Sequence, residues 1–130
     1  MPNRKIMREI ICLMGTELTR KAGDMVDIQG NYSFFSPNMD LCITITPRPE
    51  DRGTISPHIW VKEIYGNDGF YFLFDNEKEG QIRVEQFGHS NTIYEGTTGA
   101  EILAQWPENI SPQIRPYFVT MLEIYDKASG

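Results

Sequence analysis

Residues 58–74 read HIWVKEIYGNDGFYFLF, two runs of strand-forming residues divided by Gly66-Asn67-Asp68-Gly69. A glycine loop that holds phosphate opens onto a helix N-terminus, where free N–H groups meet the anion. This loop opens instead onto Phe70, Tyr71 and Phe72, aromatic residues that favour extended backbone. The stretch therefore reads as a hairpin, with Asn-Asp-Gly supplying the positive φ angles of a tight turn. If Gly66 faces Gly69, Tyr65 pairs with Phe70, Glu63 with Phe72 and Val61 with Phe74, while Ile64 meets Tyr71 and Lys62 meets Leu73 on the reverse side. In any register residues 70–74 are apolar on both sides, which marks a strand in the middle of a sheet with both faces covered.

Working outward, a period of two runs from Met25 to about Tyr94, with strands predicted at 25–35, 40–46, 57–65, 70–75 and 81–87 and room for a sixth. DLCITITP alternates Leu41, Ile43 and Ile45 against Cys42, Thr44 and Thr46, and PRPEDRG ends it as an exposed loop. Before the strands, Ile6, Ile10, Leu13, Met14 and Leu18 recur at helical spacing over 4–22, with Gly15-Thr16 able to end one helix and cap a second. After them, Thr98 and Glu101 have the spacing of a capping box for a short helix over 99–105 that Trp106-Pro107 ends. A last helix begins near Pro116, with Ile114, Phe118, Met121, Leu122 and Tyr125 on one face. The fold class is α+β: an antiparallel meander of five to six strands, one N-terminal helix and two C-terminal helices, in a single domain over 1–130. The N-terminal helix is expected on one face of the sheet and the C-terminal pair on the other. Should all three lie on one face, Trp60, Tyr71 and Leu73 stay uncovered.

The totals bound the function. The 40% hydrophobic share with 11 glycines is that of a folded chain, and 130 residues suit one domain. Eighteen acidic against 12 basic side chains leave a charge of -6, whose field repels phosphate backbones and anionic lipid. No direct nucleic-acid binding and no membrane contact is expected. Cys12 and Cys42 are too few and too scattered for a disulfide framework or a zinc site and read as buried thiols of a cytoplasmic protein.

No constellation for chemistry stands out. His58 and His89 lack a second ligand at metal spacing; His58 with Glu63 or Asp40, or His89 with Glu85, are the acid–base pairs that can be drawn. Ser33 and Ser90 lack nucleophile-elbow glycines, and Asp75, Glu77 and Glu79 in DNEKEG read as a solvated turn lacking the offsets of a calcium loop. No metal, cofactor or catalytic residue is expected.

The order W-x-x-x-x-Y-G-N-D-G-F-Y from Trp60 to Tyr71, followed by TTGAEI, is similar to the hairpin region of plasmid antirestriction proteins of the KlcA and ArdB type. The N-terminal half departs from that family, reading as strands where the family has helical segments, and no residue role is carried over. From the residues themselves the expectation is a non-enzymatic binding or regulatory protein acting through protein contacts, with a protein partner or a homodimer on a surface of Trp60, Ile64, Tyr71 and Leu73. The alternative is an acidic inhibitor of a DNA-acting enzyme, working by DNA mimicry.

Overall fold

Alternation of apolar and polar residues in the middle of the chain builds one sheet. In the computed structural model, which describes residues 4–49, 56–75, 80–88, 91–105 and 111–129, the elements run α1 (Arg4–Lys21), β1 (Tyr32–Phe35), β2 (Leu41–Thr46), β3 (His58–Glu63), β4 (Gly69–Phe74), β5 (Ile82–Phe87), β6 (Thr92–Gly96), α2 (Gly99–Gln105) and α3 (Arg115–Ser129). The six strands lie in chain order, each antiparallel to the next. This is the α+β meander, with one helix before it and two after.

One face of the sheet carries the core. Phe34, Ile43, Val61 and Phe70 form one row across it, and Ile45, Ile59, Phe72, Val84 and Tyr94 the next, all buried. Burying a Phe such as Phe70 or Phe72 stabilises by about 2–3 kcal/mol each. α3 supplies Phe118, edge-on to Phe70 with centroids 5.2 Å apart, and Tyr125 beside Phe72 and Phe74 at 5.6 and 6.0 Å. α1 packs on β2, β3 and α3, and α2 on β6 and α3. All three helices thus form one layer beneath the sheet, and the expected split between two faces is not observed. The reverse face of β4 gains its cover from side chains of neighbouring strands instead.

α1 is continuous through Gly15, which neither stops nor restarts it. A Cβ at Gly15 would lie 2.8 Å from Ile45 Cγ2, so glycine serves close approach of the helix to β2. Thr16 bonds back to the Cys12 carbonyl (2.9 Å) and its oxygen accepts the Ile28 N–H (3.2 Å). The buried stripe is Met7, Ile10, Ile11, Met14 and Leu18; Ile6 and Leu13 are 42% and 47% exposed, because at about 100° per residue they fall well round the helix from it. Residues 25–31 are irregular where a strand was expected: Ile28 is buried and tied to α1 rather than to a neighbouring strand.

Pro47 and Pro49 are buried, so the start of the β2–β3 loop is less exposed than its composition implies. Cys12 and Cys42 are free and half-buried. α2 starts where the capping spacing puts it: Thr98 Oγ1 accepts the Glu101 N–H (3.2 Å), while the Glu101 carboxylate reaches Thr97 rather than Thr98. A further cap comes from α3, whose Asp126 carboxylate accepts the Gly99 and Ala100 N–H groups at 2.6 and 3.1 Å. Glu77, Glu79, His89, Ser90, Trp106 and Pro107 lie outside the described residues.

Candidate functional site

The hairpin of β3 and β4 decides the site. Its loop is longer than a two-residue turn: the Glu63 N–H donates to the Asp68 carbonyl (3.0 Å), enclosing Ile64 to Asn67, and none of these residues has a positive φ. Trp60 pairs with Tyr71, Val61 with Phe70 and His58 with Leu73. The partner of each residue is displaced by four from the register drawn across Gly66 and Gly69. An even displacement exchanges partners and keeps faces, so Val61 and Phe70 still point inward and Trp60, Tyr71 and Leu73 outward. Gly66 has a local reason, since a Cβ there would fall on the Glu63 carboxylate.

Among the described residues no helix covers the outward face. In its central row Thr44, Trp60, Tyr71, Glu85 and Ile93 stand side by side across β2 to β6. On one side of that row are Cys42, Lys62, Gly69 and Phe87; on the other are Thr46, His58, Leu73, Arg83 and Glu95. Trp60 is 39% exposed and forms a ridge between two shallow clefts. One, of about 310 Å³, is bounded by Phe35, Thr44, Lys62 and Ile64; the other, of about 210 Å³, by Tyr71, Glu85 and Phe87.

Packing fixes this ridge from both directions. Phe87 leans over Gly69, where a Cβ would fall inside its ring, and meets Trp60 edge-on with centroids 5.8 Å apart at 68°. Tyr71 stacks on His58 at 4.9 Å and 29°, and the His58 ring Nδ1 lies 2.9 Å from the Ser56 carbonyl oxygen. Burial, and then the Glu85 carboxylate across the ladder, hold the Tyr71 phenol above the usual tyrosine value. Arg83 gathers Glu85 (3.4 Å), Asp75 (3.6 Å) and Glu95 (3.7 Å) at the far side of the face.

Of the four residues singled out from the sequence, Trp60 and Tyr71 are adjacent and Leu73 is one step further along β4. Ile64 is not opposite Tyr71. It sits where the loop leaves β3, its N–H donating to the Asp40 carbonyl (2.9 Å), and it lines the cleft on the far side of Trp60 from Tyr71. Sequence reasoning missed Phe87, Glu85 and Phe35; the alternation of IRVEQF carries the signal for the first two, since it sets Arg83, Glu85 and Phe87 on the side away from Ile82 and Val84. The pairing of His58 with Glu63 is not formed: the two stand at opposite ends of β3, about 17 Å apart at the rise of a strand. Asp40 lies at the Glu63 end, beside Ile64. Among the described residues no group of three or more His, Cys, Asp or Glu side chains could hold a metal, and no helix is long and apolar enough to cross a membrane.

No family model, no curated protein and no solved structure matches the chain.

Proposed function

We propose that this is a non-enzymatic binding or regulatory protein that acts through protein contacts at the uncovered sheet face. The observation that carries the reading is the Trp60 ridge, 39% exposed, met edge-on by Phe87 and paired across the ladder with Tyr71, between two clefts. Trp and Tyr anchors set in preformed apolar surroundings supply most of the energy of protein interfaces, because they bury large area with little loss of side-chain freedom. Thr44, Lys62, Glu85 and Arg83 provide the polar rim such an interface uses for register.

The test is capture of a partner by the wild-type protein beside a Trp60→Ala, Tyr71→Ala double variant whose circular dichroism matches wild type. Partner identity is then fixed by photo-crosslinking from position 71. The reading expects crosslinks at that position and a loss of affinity of at least 100-fold, roughly two anchors of 1.5 kcal/mol or more. Equal capture by the double variant rejects it. A DNA-acting enzyme released by Glu85→Lys and Glu95→Lys, and retained by the double variant, would put acidic mimicry in its place.

A further inference from the structure

An antiparallel strand turns the N–H and C=O of alternate residues to each side. The Ser36 N–H donates to the Leu41 carbonyl (2.9 Å), which in the β1–β2 register makes Phe34–Ile43 and Tyr32–Ile45 the hydrogen-bonded pairs. Ser33 and Phe35 therefore turn their backbone groups away from β2, to the open edge. Among the described residues no turn, loop or cap hydrogen bond reaches either one, and both are exposed, Phe35 by 53%.

The other edge of the sheet is treated differently. The Asp75 N–H bond to the Gln81 carbonyl (3.0 Å) fixes the same alternation through β5, so Ile93 and Glu95 turn their backbone groups outward on β6. There the Gln105 side-chain amide donates to the Glu95 carbonyl (3.0 Å), and Glu95 itself adds a charge. Edge strands are ordinarily blunted by charge, proline or cover. The β1 residues Tyr-Ser-Phe-Phe carry neither charge nor proline, and the edge is limited by its length of four residues alone.

We propose that β1 is a dimerisation edge, occupied by β1 of a second copy paired antiparallel about a two-fold axis. An antiparallel ladder is its own mate under that symmetry. With Phe34 opposite the second copy's Phe34, each Ser33 exchanges both backbone bonds with the other copy's Phe35. This register uses only β1 residues and sets inner face beside inner face. Both helix layers then fall on one side, and the uncovered face continues from one copy to the next.

Charge decides between the two edges. The net charge of -6 opposes association, yet every residue of the β1 ladder is neutral, whereas pairing through β6 would bring two Glu95 carboxylates into one short ladder. Area sets the strength. The exposed parts of Phe35 and Tyr32, 53% and 38% of those residues, offer roughly 150–200 Å² of apolar surface per copy, against about 800 Å² in a standard interface. The dimer is accordingly weak and reversible, with a Kd on the order of 100 μM.

Sedimentation equilibrium of the full chain from about 10 μM to 1 mM tests this, with concentrations chosen to bracket that Kd. The weight-average mass should climb from 15.0 kDa toward twice that value. Ser33→Pro removes an N–H that faces the edge rather than β2, and Phe35→Lys adds the missing charge; each should raise the Kd at least about tenfold. Trp60→Ala with Tyr71→Ala should leave it unchanged, which separates this dimer from partner binding at the face. A 15.0 kDa species throughout, a Kd unmoved by both edge variants, or a dimer abolished by the face variant would overturn the proposal.

Discussion

Replacing Gly69 by Ala probes the packing that holds the Trp60 ridge. An added Cβ would fall inside the Phe87 ring and 2.7 Å from the Val61 carbonyl oxygen. The ring can swing aside, but the Val61 carbonyl belongs to the β3–β4 ladder and cannot move without loosening it. Overpacking of this kind costs about 1–3 kcal/mol, and loss of the edge-on Phe87–Trp60 contact about 0.5–1.5 more. Ala restricts the unfolded chain and returns about 0.4–1 kcal/mol. The net expectation is a loss of about 0.5–4 kcal/mol, which at a urea m-value near 2 kcal/mol/M lowers the unfolding midpoint by roughly 0.25–2 M.

The control is Phe87→Ala. If the clash is chiefly with the ring, Gly69→Ala added to Phe87→Ala should cost less than Gly69→Ala alone, a coupling of about 1 kcal/mol in a double-mutant cycle. Urea unfolding followed by circular dichroism reads all four proteins. A Gly69→Ala variant as stable as wild type, or a cycle with no coupling, would refute the argument that Phe87 shelters over the glycine.

Asp126→Ala should cost about 1–2 kcal/mol by removing the carboxylate that caps α2 from α3, with faster hydrogen exchange at the Gly99 and Ala100 amides as its local signature. Gly15→Ala should melt below wild type in a thermal scan despite the roughly 1 kcal/mol that Ala gains in helix propensity, because its methyl would press on Ile45. Tyr71, Tyr94, Tyr117 and Tyr125 all have phenols raised above the usual value, first by burial. A raised folded value means the unfolded chain releases its protons first, so stability is complete below about pH 10 and falls as pH rises through the folded values. Absorbance titration should show the tyrosines ionising later in the native protein than in urea, and Tyr71→Phe should flatten part of the alkaline loss of stability.

Much of the fold was legible because local chemistry dictated it. The period-two alternation of Leu41, Ile43 and Ile45 against Cys42, Thr44 and Thr46 names the inward side of β2, and the observed burial follows it residue by residue. Thr98 and Glu101 mark the start of α2, and Ile114, Phe118, Met121, Leu122 and Tyr125 all turn inward at the last helix. Errors fell where a residue answers to something distant. Gly15-Thr16 has the local chemistry to end one helix and cap a second, but the role of the glycine is to admit Ile45 from the sheet. The period of two predicts strand over 25–35, but only Tyr32–Phe35 forms one, and Thr16 of α1 holds Ile28.

The order and type of the elements, and which side chains of each strand share a side, depend on neighbours a few residues apart and are therefore written in the sequence. The split of the helices between two faces and the register drawn across Gly66 and Gly69 both fail, because the helix faces and the β3–β4 partners are settled by packing between segments distant along the chain. Tyr71 and Leu73 looked like the second face of a buried strand. Only the tertiary structure places Tyr71 between Trp60, His58 and Glu85, and Leu73 between His58 and Arg83, where side chains of adjacent strands shelter them laterally and leave the ridge beside them open.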